Sequence, residues 1–292
     1  MIAVQILIDG FTISTLYALG AVGFTLIYGV SGALNLAHGG LMVLAAMAAW
    51  YFGSEFDGSA AIDALVGLAT GGVATVGTYV LIVRPIERSK RFAEHERDLF
   101  VLTVTLLWGV MIQELLSYFF TDAQVAVKPL LGGTFNMLSV EVPSNDLLIV
   151  LVGWGVMGLL WLLVNRTKLG KRLLAASVNA RGLLLLGFSL DRIRFVVWAV
   201  YGLLVGVSGV LLGSLLGSGP DYVMGLTGSA FTIVVLGGLG SVAGTLIAAF
   251  IIGYIETLTA YLVSPALRTV PALLVLIVIM YVRPSGLLGR RP

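Results

Sequence analysis

The most regular feature of the sequence is a series of long apolar runs separated by short polar stretches. The runs lie at about residues 6–29, 34–53, 60–83, 99–120, 147–164, 195–217, 222–239, 243–263 and 269–282. Each approaches the roughly 20 residues that an α-helix needs to cross a bilayer. The pattern therefore predicts an all-α polytopic membrane protein with eight or nine transmembrane helices, forming a single domain over residues 1–292.

The polar stretches differ strongly in charge. Fifteen of the 17 Lys and Arg residues lie in residues 84–98, 166–194 and 283–292. Because basic loops stay on the cytoplasmic side, these three segments are predicted to be cytoplasmic, and residues 122–146 form the one sizeable external segment. This external segment is either a tether between two spans or a landing site for an external partner. The N-terminus is predicted to be external, provided that residues 31–53 cross the membrane rather than re-enter it.

Composition agrees with this class, since apolar residues make up 59% of the chain, charged residues 11%, and the mean hydropathy is +1.04. The chain has no cysteine and only two histidines, so no metal site is predicted. It also lacks the metalloprotease H-E-x-x-H, the hydrolase G-x-S-x-G and the phosphate-binding G-x-x-x-x-G-K-[ST] motifs. Membrane lipid is the expected surrounding, and no nucleic-acid partner is predicted.

Two glycine-rich interruptions fall at membrane depth, one in each half of the chain. Backbone that is unwound inside a bilayer is tolerated only where it is buried in protein or lines a wet cavity, and paired interruptions indicate a translocation path. For Asn35 and His38 the alternative is a hydrogen bond that only holds helices together. The predicted pathway residues are Asn35, His38 and Gly39 in the first interruption and Gly237, Gly238 and Gly240 in the second.

The segment 166–194 carries seven basic residues against the single acidic Asp191. Thr167 is a candidate helix cap, and Gly187 followed by Ser189 indicates a helix stop and a new start, so two short helices are predicted. Such a segment between two spans is typical of a cytoplasmic docking surface for another protein. An amphipathic helix lying on anionic lipid is the alternative. We call residues 166–194 the insert.

Two other functions compete with transport driven by a partner. In an ion-coupled secondary transporter, Glu114, Glu256 or His38 would titrate during the cycle, because carboxylates within apolar runs suggest function. In an intramembrane serine protease, Ser31 would be the nucleophile, with His38 as its base. Neither a cluster of membrane carboxylates nor a well-separated base is present in the sequence, so both rank below a partner-driven permease.

Several motifs occur in an order that resembles a known family. They are Ala18–Gly29 (ALGAVGFTLIYG), Leu34–Gly39 (LNLAHG), Thr167–Gly170 (TKLG), Leu236–Gly244 (LGGLGSVAG) and Arg283–Gly289 (RPSGLLG). Together they resemble the branched-chain amino acid ABC transporter permeases, and in particular the shorter of the two permeases of that high-affinity system. The resemblance covers nearly the whole chain.

The resemblance implies an importer of the bacterial cytoplasmic (inner) membrane, and this chain would be its multi-pass permease rather than an enzyme. Its partners would be a second related permease, two cytoplasmic ATPase subunits and an external substrate-binding protein. ATP and Mg would be bound by the ATPases, so no cofactor is expected in this chain. The solute would be a branched-chain amino acid or a related amide, urea or organic acid. The residues implied in coupling to the ATPases are Thr167, Gly170, Ala175, Gly187 and Asp191.

Overall fold

A computed structural model describes residues 2–32, 34–89, 93–137, 140–283 and 285–289, without the side chains of Glu94 and His95. Four of the basic residues used to predict the topology lie outside the described residues, namely Lys90, Arg91, Arg290 and Arg291. Leu138 and Ser139 of the external segment also lie outside them.

The described residues form twelve α-helices and one β-hairpin. The helices are α1 (Ile2–Ser31), α2 (His38–Glu55), α3 (Ala60–Thr78), α4 (Arg84–Arg88), α5 (Glu94–Phe119), α6 (Ser144–Arg166), α7 (Lys168–Val178), α8 (Ala180–Leu185), α9 (Leu190–Leu215), α10 (Tyr222–Gly237), α11 (Val242–Leu262) and α12 (Val270–Val282). A π-helical turn, Tyr79–Val83, joins α3 to α4, and a 3₁₀ turn, Pro265–Leu267, precedes α12. The strands are β1 (Thr134–Met137) and β2 (Val140–Pro143).

The membrane-spanning character predicted from the apolar runs is confirmed. Seven helical segments among the described residues are long and apolar enough to cross a bilayer, and α10 is a shorter apolar helix. With α2, which has 18 residues, these elements account for the nine apolar runs of the sequence. The chain is therefore a polytopic helical protein, and the count of eight or nine spans fits it.

The central layer of the bundle consists of α1, α2, α9, α10 and α11. In α1 and in α9, 67% of the most apolar 18-residue stretch is buried. In the last span, Pro265–Val282, the buried share is 6%, so this span lies at the periphery. Small residues bring the central helices together, since a Cβ placed on Gly71 of α3 would lie 2.8 Å from the Cα of Gly206 of α9. Close backbone approach of this kind is how helices associate in lipid. The glycine row of α9 therefore packs against this chain's own helices.

Residues 31–53 do not form a single helical crossing. α1 ends at Ser31, yet His38, the first residue of α2, lies beside Gly20 of α1. Gly20 is eleven residues before the end of α1. At 1.5 Å per helical residue, the chain returns about 16 Å along α1 before α2 begins. Next, α2 runs parallel to α9, with Met42 beside Gly209 and Ala46 beside Gly213. We call residues 34–37 the re-entrant segment; α2 completes the crossing.

In the external segment, the described residues between 122 and 143 form no helix, and residues 144–146 begin α6. β1 and β2 pair as an antiparallel hairpin in which Phe135 faces Val142. Val125 forms an isolated bridge with Ser218 at the end of α9, which fixes the segment to the bundle. This small hairpin does not change the predicted helical class, and the Pro and Gly breakers of the segment account for the lack of helix there.

The insert contains two short helices, α7 and α8, as predicted. The Thr167 hydroxyl accepts a hydrogen bond from Gly170 N at 3.0 Å and caps α7. Gly187 follows α8 with φ +80°, a left-handed conformation that glycine adopts readily and that ends the helix. Ser189 then caps α9 by accepting a hydrogen bond from Arg192 N at 3.5 Å.

Candidate translocation site

The start of α2 is held by a buried polar cluster, the His38 cluster, formed by Asn35, His38, Tyr201 and Thr227. Asn35 Oδ1 accepts a hydrogen bond from Ala37 N at 3.2 Å, so its amide nitrogen faces Tyr201 and donates to the phenolic oxygen at 3.2 Å. The Tyr201 hydroxyl then has its hydrogen available for His38 Nδ1, which lies at 2.7 Å. The other ring nitrogen, His38 Nε2, lies on the side of Gly20.

Side chains of other helices satisfy the backbone of the re-entrant segment. Thr105 of α5 accepts from Leu36 N at 3.1 Å, and Thr227 of α10 accepts from Gly39 N at 3.0 Å. Backbone groups at membrane depth must be paired within the protein. A Cβ on Gly39 would overlap Val223 O and would lie 2.6 Å from Thr227 Oγ1, so only glycine allows this contact between α2 and α10.

The Tyr201 hydroxyl gives the first prediction. Tyr201→Phe removes the buried hydroxyl that is hydrogen-bonded to both Asn35 Nδ2 and His38 Nδ1. Because both nitrogens then lack this partner, the free energy of unfolding should fall by about 1–3 kcal/mol. Tyr281→Phe is the matched control, since Tyr281 is 90% exposed. Thermal unfolding in detergent measures both variants. Equal stability of the two variants would contradict the hydrogen bonding of this cluster.

The second glycine interruption lies elsewhere. Gly237 and Gly238 end α10, and Gly238 has φ +100°. Leu287 N donates to Leu236 O at 2.8 Å and Leu288 N donates to Gly237 O at 3.0 Å, so the C-terminal residues 285–289 dock on this turn. A Cβ on Gly238 would lie 2.5 Å from the Cα of Gly289, which explains the glycine there.

The structure does not bring the two interruptions together. Gly240 lies close to Gly29 of α1, whereas His38 lies beside Gly20 of the same helix. Nine helical residues separate these two points, which is about 13 Å along α1. Asn35, His38 and Gly39 thus form one predicted site, and Gly237, Gly238 and Gly240 form a turn nearer the insert. The role of either group in transport stays a prediction.

A second buried cluster, the Glu256 cluster, joins α1, α10, α11 and the start of the last span. Glu256 is 1% exposed and accepts hydrogen bonds from Tyr17 at 2.6 Å and from Ser229 at 3.4 Å. Arg268 forms an ion pair with Glu256 at 3.3 Å and donates to the Tyr17 hydroxyl at 3.0 Å. Every member of the Glu256 cluster is therefore hydrogen-bonded or ion-paired to another member, as a buried charge requires.

Cavities connect the Glu256 cluster to the end of the bundle opposite the insert, which is the predicted external end. An outer cavity of about 330 Å³ contains the carboxylates of Asp9 and Asp146, and an inner one of about 160 Å³ contains Asp221. Glu256 and Arg268 line both cavities. Beyond Tyr17 and Ser229 only a gap of about 10 Å³ leads to His38, too small for more than a single water. We call this series of spaces the outer column; it is constricted at His38.

The predicted coupling residues lie at the opposite end of the bundle. Thr167 and Gly170 start α7, where a Cβ on Gly170 would overlap Val164 of α6, and Ala175 is exposed on α7. Asp191 instead pairs with two arginines of α4. Arg84 donates to both carboxylate oxygens of Asp191, at 2.9 and 2.6 Å, and Arg88 lies 2.9 Å from Oδ2. Asp191 thus anchors the insert to α4, and its part in coupling stays a prediction.

The residues of the two alternative functions are placed unfavourably for them. Ser31 Oγ is buried without a hydrogen-bond partner, and His38 Nδ1 is engaged by Tyr201, so nucleophile and base do not meet. Glu114 is exposed on α5, and Glu256 is paired with Arg268. Among the described residues no group of three His, Asp or Glu is arranged to hold a metal ion.

Comparison with known proteins agrees with a transport role. The family described as "Branched-chain amino acid transport system / permease component" matches residues 6–281. The high-affinity branched-chain amino acid transport system permease protein LivH of Escherichia coli is 28% identical over 308 residues, covering 98% of this chain and 95% of LivH. BraD of Pseudomonas aeruginosa, a permease protein of the same description, is 27% identical with the same coverage.

More distant proteins share part of the sequence or the fold. The L-arabinose ABC transporter permease protein AraH of Azospirillum brasilense is 31% identical over 141 residues, covering 46% of this chain and 39% of AraH. The structure of PsaBC from Streptococcus pneumoniae in complex with Fab superposes with a TM-score of 0.53 at 10% identity, covering 96% of this chain and 92% of the PsaBC chain. The latter shows a shared fold alone. The match over residues 6–281 places this chain in the family of permease components of branched-chain amino acid transport systems.

Proposed function

We propose that this permease carries branched-chain amino acids, or closely related small organic solutes, inward across a bacterial cytoplasmic membrane. The observation that carries the proposal is the outer column, which combines an apolar wall with one cation and several carboxylates and narrows at His38. An α-amino acid presents the complementary set, a carboxylate, an ammonium group and an aliphatic side chain. The LivH and BraD relatives are named for branched-chain amino acid transport, which supports this solute class.

The path we propose has two stages. Solute enters the outer column, where Arg268 attracts the carboxylate and Asp9 or Asp146 the ammonium group. It passes inward only when the gap between Ser229 and His38 widens, which requires α10 to move relative to α2 and would make Gly39 and Thr227 a hinge point. Gly237, Gly238 and Gly240 would lie at the exit, beside the insert.

The energy is proposed to come from two ATPase subunits that bind the insert and hold the ATP and Mg. A run of exposed leucines on α8 and beyond it, in which Leu185 is 90% exposed, supports a protein contact there. ATP can drive the permease only if one of its conformations fits the closed ATPases better than the other.

Leu185 gives the second prediction. Leu185→Glu should lower ATPase co-purification and ATP-driven uptake at least about tenfold, because a carboxylate would be desolvated in the contact. Leu185→Met, which keeps the apolar surface, is the matched control. Unchanged co-purification in Leu185→Glu would remove the insert as the ATPase contact.

A second related permease and an external binding protein would complete the importer. The glycine row of α9 is filled by this chain's own α2 and α3, so it offers no surface to a partner. On α10, a Cβ placed on Gly228 would meet no other atom within 4 Å, and this open position supports the face of α10 that carries Gly228 as the contact for the second permease. The mass of a complex of this chain with the ATPases alone decides between a mixed and an identical permease pair.

The function is tested by reconstitution. The permease, its second permease, the two ATPases and the binding protein are placed in proteoliposomes, and ATP-dependent accumulation of labelled leucine is measured against isoleucine, valine, urea and short amides as competitors. Competition by branched-chain amino acids is the expected result. Accumulation driven by an ion gradient without ATP would overturn the proposal in favour of a secondary transporter.

A further inference from the structure

A separate cavity of about 460 Å³ lies at the insert end of the bundle, away from the outer column. Its walls come from the end of α1, from α4 and the first turns of α5, from α8 and from the start of α9. Five charged residues of the described part of the chain line it, namely Glu87, Arg97, Asp98, Arg181 and Arg194. These described residues place three guanidinium groups and two carboxylates around one cavity, which opens to solvent on the side of the exposed Asp98 and Arg181.

Several polar atoms around this cavity lack the hydrogen bonds that buried groups normally make. Glu87 is 9% exposed; its Oε2 pairs with Arg194 Nη1 at 3.2 Å, but its Oε1 is buried without a partner. Arg97 Nη1 donates to Glu87 O at 3.1 Å, whereas Arg97 Nε, Arg194 Nε and Ser31 Oγ are buried and unpaired. Unpaired buried polar atoms are uncommon and costly, and these four belong to residues that line one cavity, so a polar occupant towards which the side chains turn would relieve the cost.

The chemistry of these atoms defines the occupant. Arg97 and Arg194 offer donors that suit a carboxylate or phosphate oxygen, and Glu87 offers an acceptor that suits an ammonium group. A simple anion would be repelled by Glu87 and Asp98, and a simple cation by the guanidinium groups. A molecule that carries both charges satisfies both sides. We propose that this cavity binds a zwitterion, with its anionic group on Arg97 and Arg194 and its ammonium group on Glu87.

Two sources could supply such a zwitterion. One is a free aliphatic α-amino acid from the cytosol, whose side chain would contact Val30, Leu184 and Leu190. The other is the headgroup of phosphatidylethanolamine. Either occupant would join α8 of the insert to the end of α1, just before the re-entrant segment. Because a ligand favours the conformation in which its site exists, binding would slow the transport cycle.

The test measures leucine binding to the assembled permeases and ATPases, without the external binding protein, in nanodiscs that lack phosphatidylethanolamine. The background is Arg268→Met/Glu256→Met, which removes the charge pair of the outer column and leaves the cytoplasmic cavity intact. Leucine should bind, and 4-methylpentanoate and 3-methylbutylamine, which each keep one of the two charges, should bind at least about tenfold more weakly. This readout does not depend on which solute the outer column carries, so it can fail while the proposed function holds.

Variants locate the site. Glu87→Gln and Arg194→Gln should each weaken leucine binding at least about tenfold, and Leu184→Trp should do so by narrowing the cavity while sparing the ion pair. Arg192→Gln, an exposed neighbour that does not line the cavity, is the control and should keep the affinity. Leucine affinity that is the same in all four variants would overturn the proposal.

Lipid composition separates the two sources. If added phosphatidylethanolamine displaces leucine, and Glu87→Gln loses the co-purified lipid, the natural occupant is the headgroup. If leucine binding is unaffected by that lipid and cytosolic leucine lowers ATP hydrolysis, the natural occupant is the free amino acid. Absence of both leucine binding and lipid retention in the parent protein contradicts the proposed zwitterion site.

Discussion

Replacing Arg268 with methionine is expected to destabilise the protein by about 3–5 kcal/mol and to lower leucine uptake at least about tenfold, because the Glu256 carboxylate then stays buried without its cation. Thermal unfolding and ATP-driven uptake measure the two effects. Lys128→Met is the matched control: its ion pair with Asp57 is exposed, so the free energy of unfolding should change by less than about 1 kcal/mol.

The double variant Arg268→Met/Glu256→Met distinguishes a pathway role from a structural one. Replacing both members of a buried ion pair with apolar residues of similar size is often neutral, so stability should return towards that of the parent protein. Uptake should stay low, because the charges that receive the solute are gone. If uptake returns together with stability, the Glu256 cluster only holds the helices together.

Gly39→Ala is expected to lower the free energy of unfolding by about 2–4 kcal/mol, since the new methyl group must separate α2 from Val223 and Thr227 of α10 and break the hydrogen bond from Gly39 N. Uptake should fall with it. Gly72→Ala is the matched control, because a Cβ there meets no other atom within 4 Å and alanine favours the helix. Equal stability of the two variants would contradict the contact between α2 and α10.

Local sequence features predicted the elements well. The length of the apolar runs predicted the spans, and the caps at Thr167 and Ser189 predicted the two helices of the insert, since these signals act within a few residues. The re-entrant segment was only half predicted. Glycines and Asn35 indicated broken helix, but the partners that hold it, Thr105, Tyr201 and Thr227, are ordinary residues of distant apolar runs.

The Glu256 cluster shows what sequence reasoning could not supply. The sequence marks Glu256 as a carboxylate in an apolar run, but it gives no signal that Arg268 is its partner. The two are twelve residues apart, and the turn after α11 folds the arginine back onto the glutamate. Tyr17 reaches the same point from 239 residues away. Only the packing of α1 against α11 makes these residues neighbours.

The re-entrant segment constrains the biogenesis of the protein. Its backbone is paired by Thr105 and by Thr227, and Thr227 is synthesised 191 residues after Leu36, to which it is hydrogen-bonded. At a translation rate of about 5–20 residues per second, this interval is on the order of 10–40 s. Throughout that time the segment cannot remain in the hydrocarbon with unpaired backbone groups, so it must wait at the interface or in the insertion machinery. Ribosome-bound chains that end before α10 should therefore leave residues 34–37 accessible to a water-soluble labelling reagent, and chains extended beyond α10 should protect them.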